Sequence, residues 1–206
     1  MQSLLDNARS FRRLAASNAG EYERLADGQS PQALFIACSD SRVIPAAITG
    51  AKPGELFEMR TAGNIVPPYR PERPSGEAAT IEYAVEILKV ADIVVCGHSH
   101  CGAVGALVRG DDLTAVPSVR NGLADTTIPG LDRPGGSPPG PRADPAPDLT
   151  EAVQGHVLNQ LERLRAHPSI ARGLSAGRLR VHGWFYEVHT GSVYAHRPAD
   201  SAFGPL

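Results

Sequence analysis

Two short stretches carry the reactive side chains. The first, ACSDSRV at residues 37–43, sets a thiol, a carboxylate and a guanidinium at alternate positions, Cys38, Asp40 and Arg42, where the apolar run ALFIA ends. The second, GHSHCGAVG at 97–105, closes another apolar run and presents His98 and Cys101 three residues apart. If both lie at the start of a helix, their side chains share one face. Two sulfurs and one imidazole nitrogen suit zinc, and three protein ligands with an open fourth position are the pattern of catalytic sites, structural ones closing with four. Asp40 is the nearest fourth donor, able to bind a metal or to leave it. Taken singly, Cys38 reads as a core cysteine and His98 as a helix cap. The conjunction of two strand ends, three soft donors and an adjacent Asp/Arg pair favours the metal.

Other candidates fall away. Cys96 lies within the apolar run and belongs to the core, and His100 sits between the proposed ligands as a bystander. His156, His167, His182, His189 and His196 have no thiol neighbours in sequence and read as surface or packing residues.

The elements that must position these groups alternate between strand and helix. ALFIA is a short buried strand and residues 56–60 a second one. Ser75 is an N-cap for a helix whose face is traced by Ala78, Ile81, Val85 and Leu88. ADIVVCG is a third strand. A further helix begins near Thr150 with Val153, Val157, Leu161 and Leu164 on one side. The ending GRLRVHGWFYEVHTGSVYAH reads as strand, strand, a turn at Thr190-Gly191 and an edge strand. Residues 1–27 read as a helical arm, with Leu4, Leu5, Phe11, Leu14 and Ala15 at helical intervals. Residues 111–149, rich in Pro and Gly, read as a long surface loop. The expectation is one α/β domain over 1–206: a largely parallel β-sheet flanked by helices, with the N-terminal arm and a C-terminal edge strand. In such sheets ligands sit beyond the carboxyl ends of the strands, which puts Cys38 and His98 at the same end.

The 206 residues are 42% hydrophobic and 20% charged, ordinary for a globular chain, and the net charge is −2. No basic cluster marks a nucleic-acid or anionic-membrane surface, and no apolar run approaches the length of a spanning helix. The N-terminal stretch lacks the apolar core of a secretory signal, so a cytoplasmic protein is expected. Three cysteines without an export signal argue against a disulfide framework.

CSDSR at 38–42, RTAGN at 60–64 and HSHCG at 98–102, supported by GQSP at 28–31, IEYAV at 81–85 and HGWFYEVHTG at 182–191, make the chain resemble a β-class carbonic anhydrase. The resemblance spans roughly residues 28–195. It implies one Zn2+ per chain on Cys38, His98 and Cys101, with Asp40 and Arg42 as the catalytic dyad beside it. It implies reversible hydration of carbon dioxide to bicarbonate, and a homodimer or higher homo-oligomer in which the N-terminal helix embraces its partner. By the same similarity Gln29 projects from the neighbouring subunit to hydrogen-bond bicarbonate, while Phe57 and Tyr83 line an apolar pocket for carbon dioxide. Two departures stand out. Thr61 replaces the family's usual Asn, which bears on the loop hydrogen bonds near the site. Phe35 stands where members with a second bicarbonate site carry Trp.

Two thiolates cancel the formal charge of the dication, so this centre is expected to acidify water less than a three-histidine one. Asp40 then helps by accepting a hydrogen bond from the attacking water, and Arg42 keeps Asp40 ionised and fixed. Released by Arg42, Asp40 can swing onto zinc and close the site. Three other readings use the same residues: hydrolysis of carbon disulfide or carbonyl sulfide, a non-catalytic zinc or bicarbonate-binding protein, and a redox pair of Cys38 with Cys101.

Overall fold

The computed structural model describes residues 1–124 and 149–206. Six strands form one sheet: β1 (Ala33–Cys38), β2 (Leu56–Thr61), β3 (Asp92–His98), β4 (Arg180–Tyr186), β5 (Val193–Arg197) and β6 (Ala202–Pro205). Their order is β2-β1-β3-β4-β5-β6, with the first four parallel and the last two antiparallel. Apolar runs such as ALFIA suit strands buried on both faces, which is what a parallel arrangement demands. The chain leaves β1 toward β2 on one side, then crosses to β3 on the other. The carboxyl ends of β1 and β3 therefore form the topological switch point of the sheet, where such folds open a crevice.

One face of the sheet packs Leu34, Ile36, Ile93 and Val95 against Ile81 and Val85, Val157, Leu161 and Leu164, and Ile170. These come from α4 (Gly76–Glu82) and the π-helical turn Tyr83–Ile87, from α7 (Thr150–Arg165) and from α8 (Pro168–Ser175). The other face gathers Phe35, Ala37, Val94 and Cys96 with Val43, Ile48 and Trp184. Ser75 caps α4 as its sequence position implies, its hydroxyl accepting from Ala78 N–H at 3.1 Å. The four α7 residues assigned to one side are all buried. Two strand glycines let α7 sit close. A Cβ on Gly97 would lie 2.7 Å from both Val153 and Val157, and one on Gly183 3.0 Å from Leu161.

The N-terminal segment is helical in two pieces, α1 (Gln2–Ser17) and α2 (Ala19–Leu25), and neither buries a residue within its own chain. Leu4, Phe11 and Leu14 are more than half exposed.

Three local expectations need correction. Residues 111–149 are not wholly loop: α6 (Pro117–Ala124) is helical, a short element hidden in the sequence by the Pro/Gly composition around it. Residues 125–148 lie outside the described ones. The C-terminal reading placed two strands before the turn, where β4 is one continuous strand and β5 and β6 both follow it. Finally, His98 and Cys101 do not share a helix face. His98 ends β3, and Cys101 is the N-cap of α5 (Gly102–Arg109).

Candidate metal centre

The two residues between His98 and Cys101 make the turn that brings those side chains together. Ser99 N–H bonds the Tyr186 carbonyl at 2.9 Å, and its hydroxyl accepts from Val188 N–H at 2.9 Å. His100 adopts φ 57°, the left-handed conformation that reverses the chain, and its side chain faces solvent. At the neighbouring strand end, Cys38 meets the same point. The ligand atoms of Cys38, His98 and Cys101 all lie within 4.8 Å of one another, and all three residues are buried.

The hydrogen bonding of His98 identifies which nitrogen is free. Nδ1 lies 2.9 Å from the Ser99 carbonyl, which can only accept, so Nδ1 carries the proton. Nε2 then holds a lone pair, and it is buried with no hydrogen-bond partner among the described residues. An orphaned buried lone pair beside two sulfurs fits a soft divalent cation, and the donor set is that of zinc. The sulfurs are electrostatically paired. The Cys101 thiol hydrogen-bonds Cys38 and, with the Asp40 and Gly63 backbone N–H groups, holds the Cys38 thiol well below its usual value in spite of burial. The same bond, then burial, pushes Cys101 far up. Cys96 is fully buried in the core as expected, and burial raises its thiol to about 12.

Asp40 and Arg42 form the dyad that their spacing suggests. Arg42 Nε donates to Oδ1 at 2.9 Å and Nη2 to Oδ2 at 2.7 Å, with the Arg42 backbone N–H adding a third bond to Oδ1 at 3.0 Å. These bonds hold the Asp40 carboxyl far below the usual carboxylate range. Arg42 Nη2 also reaches the His100 carbonyl at 3.2 Å, tying the dyad to the turn between the other two donors. Oδ2 of Asp40 stays 3.9 Å from His98 Nε2, so the pairing seen is the one in which Arg42 retains the carboxylate.

Gln29, Phe57 and Tyr83 are not brought to this point by their own chain. Phe57 pairs in register with Leu34, whereas Thr61 pairs with Cys38. Four residues at about 3.3 Å each put Phe57 roughly 13 Å down the sheet. Tyr83 stacks on Phe57 with ring centroids 5.9 Å apart, and Gln29 lies exposed before the first residue of β1.

Four residues that sequence patterning leaves without a role at the site also shape it. Arg60 donates to the carbonyls of Cys38, Asp40 and Val43 at 2.9, 3.0 and 2.7 Å, knotting the loop after β1. Gly63 sends its N–H to Cys38 Sγ at 3.3 Å. His156 and Gln160 on α7 bond the Gly63 carbonyl and the Val66 N–H. The one available signal was that His156 and Gln160 fall on the buried stripe of α7, where polar side chains need partners.

Comparison with known proteins agrees with this centre. The family model for carbonic anhydrase matches residues 33–193. A carbonic anhydrase of Pseudomonas aeruginosa is 43% identical across the whole chain and 92% of its own length. Carbonic anhydrase 1 of Escherichia coli O157:H7 is 40% identical with the same coverage. Among solved structures, the β-carbonic anhydrase CcaA superposes on the whole chain and 92% of its own with a TM-score of 0.87 at 35% identity. A tetrameric β-carbonic anhydrase of Sordaria macrospora gives 0.70 at 29%, covering 94% of each chain. These relatives do not favour the sulfur-substrate and non-catalytic readings. With its buried Cys-His-Cys cluster at the switch point of the sheet, the chain belongs to the β-class carbonic anhydrases, zinc enzymes that interconvert carbon dioxide and bicarbonate.

Proposed function

We propose that Cys38, His98 and Cys101 hold the zinc, that Asp40 orients the attacking water, and that Arg42 fixes Asp40. The observation that carries this reading is the His98 Nε2 lone pair, buried without a partner where two sulfurs converge. Zinc at that point supplies a Lewis acid that makes hydroxide available near neutral pH. The chain's own work is orientation. Asp40, kept anionic by Arg42, can only accept, so a water hydrogen-bonded to it presents a lone pair elsewhere. Arg42 Nη2, shared between Asp40 and the His100 carbonyl, ties that acceptor to the turn beside the cluster. Release of Asp40 from Arg42 would let its Oδ2 approach the cluster as a fourth donor.

Gln29, Phe57 and Tyr83 serve the centre of a second copy. Their place at the far end of the sheet from Cys38 supports this, as does the α1 face with Leu4, Phe11 and Leu14 unburied by its own chain. We read the assembly as a homodimer or a multiple of it. No described helix is long and apolar enough to cross a membrane, and three cysteines with no disulfide among them suit the reducing cytoplasm.

Stopped-flow carbon dioxide hydration on zinc-assayed protein tests the assignment. Cys38→Ser should lose both zinc and turnover. Asp40→Ala should keep zinc and lose about 100-fold or more in kcat, the scale of a positioned proton acceptor. Parental turnover in Asp40→Ala would remove Asp40 from the mechanism.

A further inference from the structure

The turn that follows β2 is conformationally costly. Gly63 sits at φ 73° and Asn64 at φ 47°, two successive left-handed residues in a conformation that is free for glycine, tolerated by asparagine and costly for most others. A Cβ on Gly63 would also lie 3.0 Å from that of Ala103. Such a turn persists only where its surroundings hold it.

The holding groups come from α7 and from His167, the N-cap of α8. His156 and Gln160 sit one turn apart on α7, His167 follows the helix in extended backbone, and all three are fully buried. His156 Nε2 lies 2.7 Å from the Gly63 carbonyl. Gln160 accepts from Val66 N–H at 2.9 Å, and His167 Nε2 lies 2.9 Å from the Pro67 carbonyl. Only the first of these grips Gly63 itself, the residue whose N–H points at Cys38 Sγ. A carbonyl only accepts, so Nε2 of His156 is the donor. Its Nδ1 is buried with no partner among the described residues, so that one bond carries the orientation of the ring. Burial pushes the imidazole down, keeping it neutral.

We infer that His156 is a positioning residue of the metal centre: its bond to the Gly63 carbonyl locks the turn that aims Gly63 N–H at Cys38 Sγ, and so tunes the electron donation of that thiolate. An N–H···S bond withdraws density from the sulfur. Losing it makes Cys38 a stronger donor and leaves the metal a weaker acid. Outer hydrogen-bond partners of metal ligands are typically worth about 10–100-fold in metal affinity or activity. The inference rests on Cys38 being a ligand, as proposed above.

The test replaces zinc with cobalt(II), whose sulfur-to-metal charge-transfer band in the near ultraviolet reports thiolate donation. His156→Leu removes the donor, and His156→Gln keeps an N–H that can reach the same carbonyl. His156→Leu should move the band and change metal affinity by about tenfold in chelator competition. His156→Gln should restore the band position even if its thermal stability stays low. A band unmoved in a folded His156→Leu protein overturns the inference, because a purely structural residue would lower stability alone. Should His156→Leu not fold, nitrogen-15 NMR of the unmutated zinc enzyme decides: a His156 proton on Nε2 supports the inference, and one on Nδ1 overturns it. Failure of the underlying ligand assignment looks different, since the parent would then bind cobalt without any Cys38-dependent band.

Discussion

Gly97→Ala offers a sharp test of how the site is built, because it adds one methyl group beside His98 without touching a reactive atom. The new Cβ would stand 2.7 Å from Val153 Cγ1 and 2.7 Å from Val157 Cγ2. Carbon atoms rest about 3.5–4.0 Å apart, so both contacts are short by roughly 1 Å. Neither valine can turn aside cheaply, since a helix leaves Val essentially one χ1 rotamer. Leaving it costs about 0.5–1.5 kcal/mol per side chain. With two valines the estimate reaches the top of the overpacking range, about 3 kcal/mol. For a chain of this size that is a fall in Tm of roughly 6–12 °C. Alternatively α7 retreats by about 1 Å, carrying His156 away from Gly63, and a shift of that size can cost roughly 100-fold in rate.

Differential scanning calorimetry and carbon dioxide hydration should be read together on the zinc-loaded protein. Gly97→Ala/Val153→Ala should be less destabilised than the sum of its single variants by about 1 kcal/mol or more, the signature of two groups competing for one space. Gly20→Ala is the control. It lies in α2 with nothing within 4 Å of the added Cβ. It should leave stability unchanged or raise it slightly, by about 0.4–1 kcal/mol. A Tm for Gly97→Ala within about 2 °C of the parent, with parental turnover, would refute the close seating of α7 on β3.

Two further outcomes follow from features away from the cluster. Asp92 at the start of β3 takes bonds from Arg180 at 2.8 and 2.6 Å and lies 2.7 Å from His182 Nε2; Arg180 first, then His182, holds its carboxyl below the usual value. Its stabilisation is therefore complete above the unfolded value of about 3.9 and is lost as pH falls through the lower folded value. Because the Arg180 side chain is 70% exposed, Asp92→Asn should cost at most about 1 kcal/mol in urea unfolding at pH 7, with a gap that closes below about pH 4; a gap that widens in acid would reverse the sign. Leu4→Ser/Leu14→Ser, on the uncovered α1 face, should shrink the particle in sedimentation and lower turnover while zinc content stays constant; an active parental monomer would refute the partner role of this arm.

How much of this was legible in the sequence depends on the range of the interaction. Cys38, Asp40 and Arg42 were readable because the dyad is local: a side chain two residues away can fold back on its neighbour, as Arg42 does on Asp40. The HxxC spacing pointed to the right residues through the wrong geometry, since a strand end followed by a tight turn at His100 converges two side chains as well as a helix face does. On α7 the apolar stripe correctly located Val153, Val157, Leu161 and Leu164, yet His156, read as a surface or packing residue, and Gln160, given no role, lie on the same stripe. Their partners are backbone groups of Gly63 and Val66, which no side-chain pattern announces.

That dependence on backbone explains how Thr61 is accommodated where the family usually carries Asn. The turn after β2 is stapled from inside by Thr61 Oγ1, which donates to the Ile65 carbonyl at 3.1 Å, and from outside by the α7 side chains. Arg60, one residue earlier, spends its guanidinium on the Cys38, Asp40 and Val43 carbonyls. Residues 60–67 thus bridge the loop carrying Cys38 and Asp40 and the helix carrying His156. A hydroxyl one carbon from the backbone closes a five-residue turn without reaching beyond it, so the substitution confines that bond to the turn. The geometry at Cys38 then rests on α7 for its outer support, which is why close seating of that helix on Gly97 and Gly183 bears on the metal centre as well as on the core.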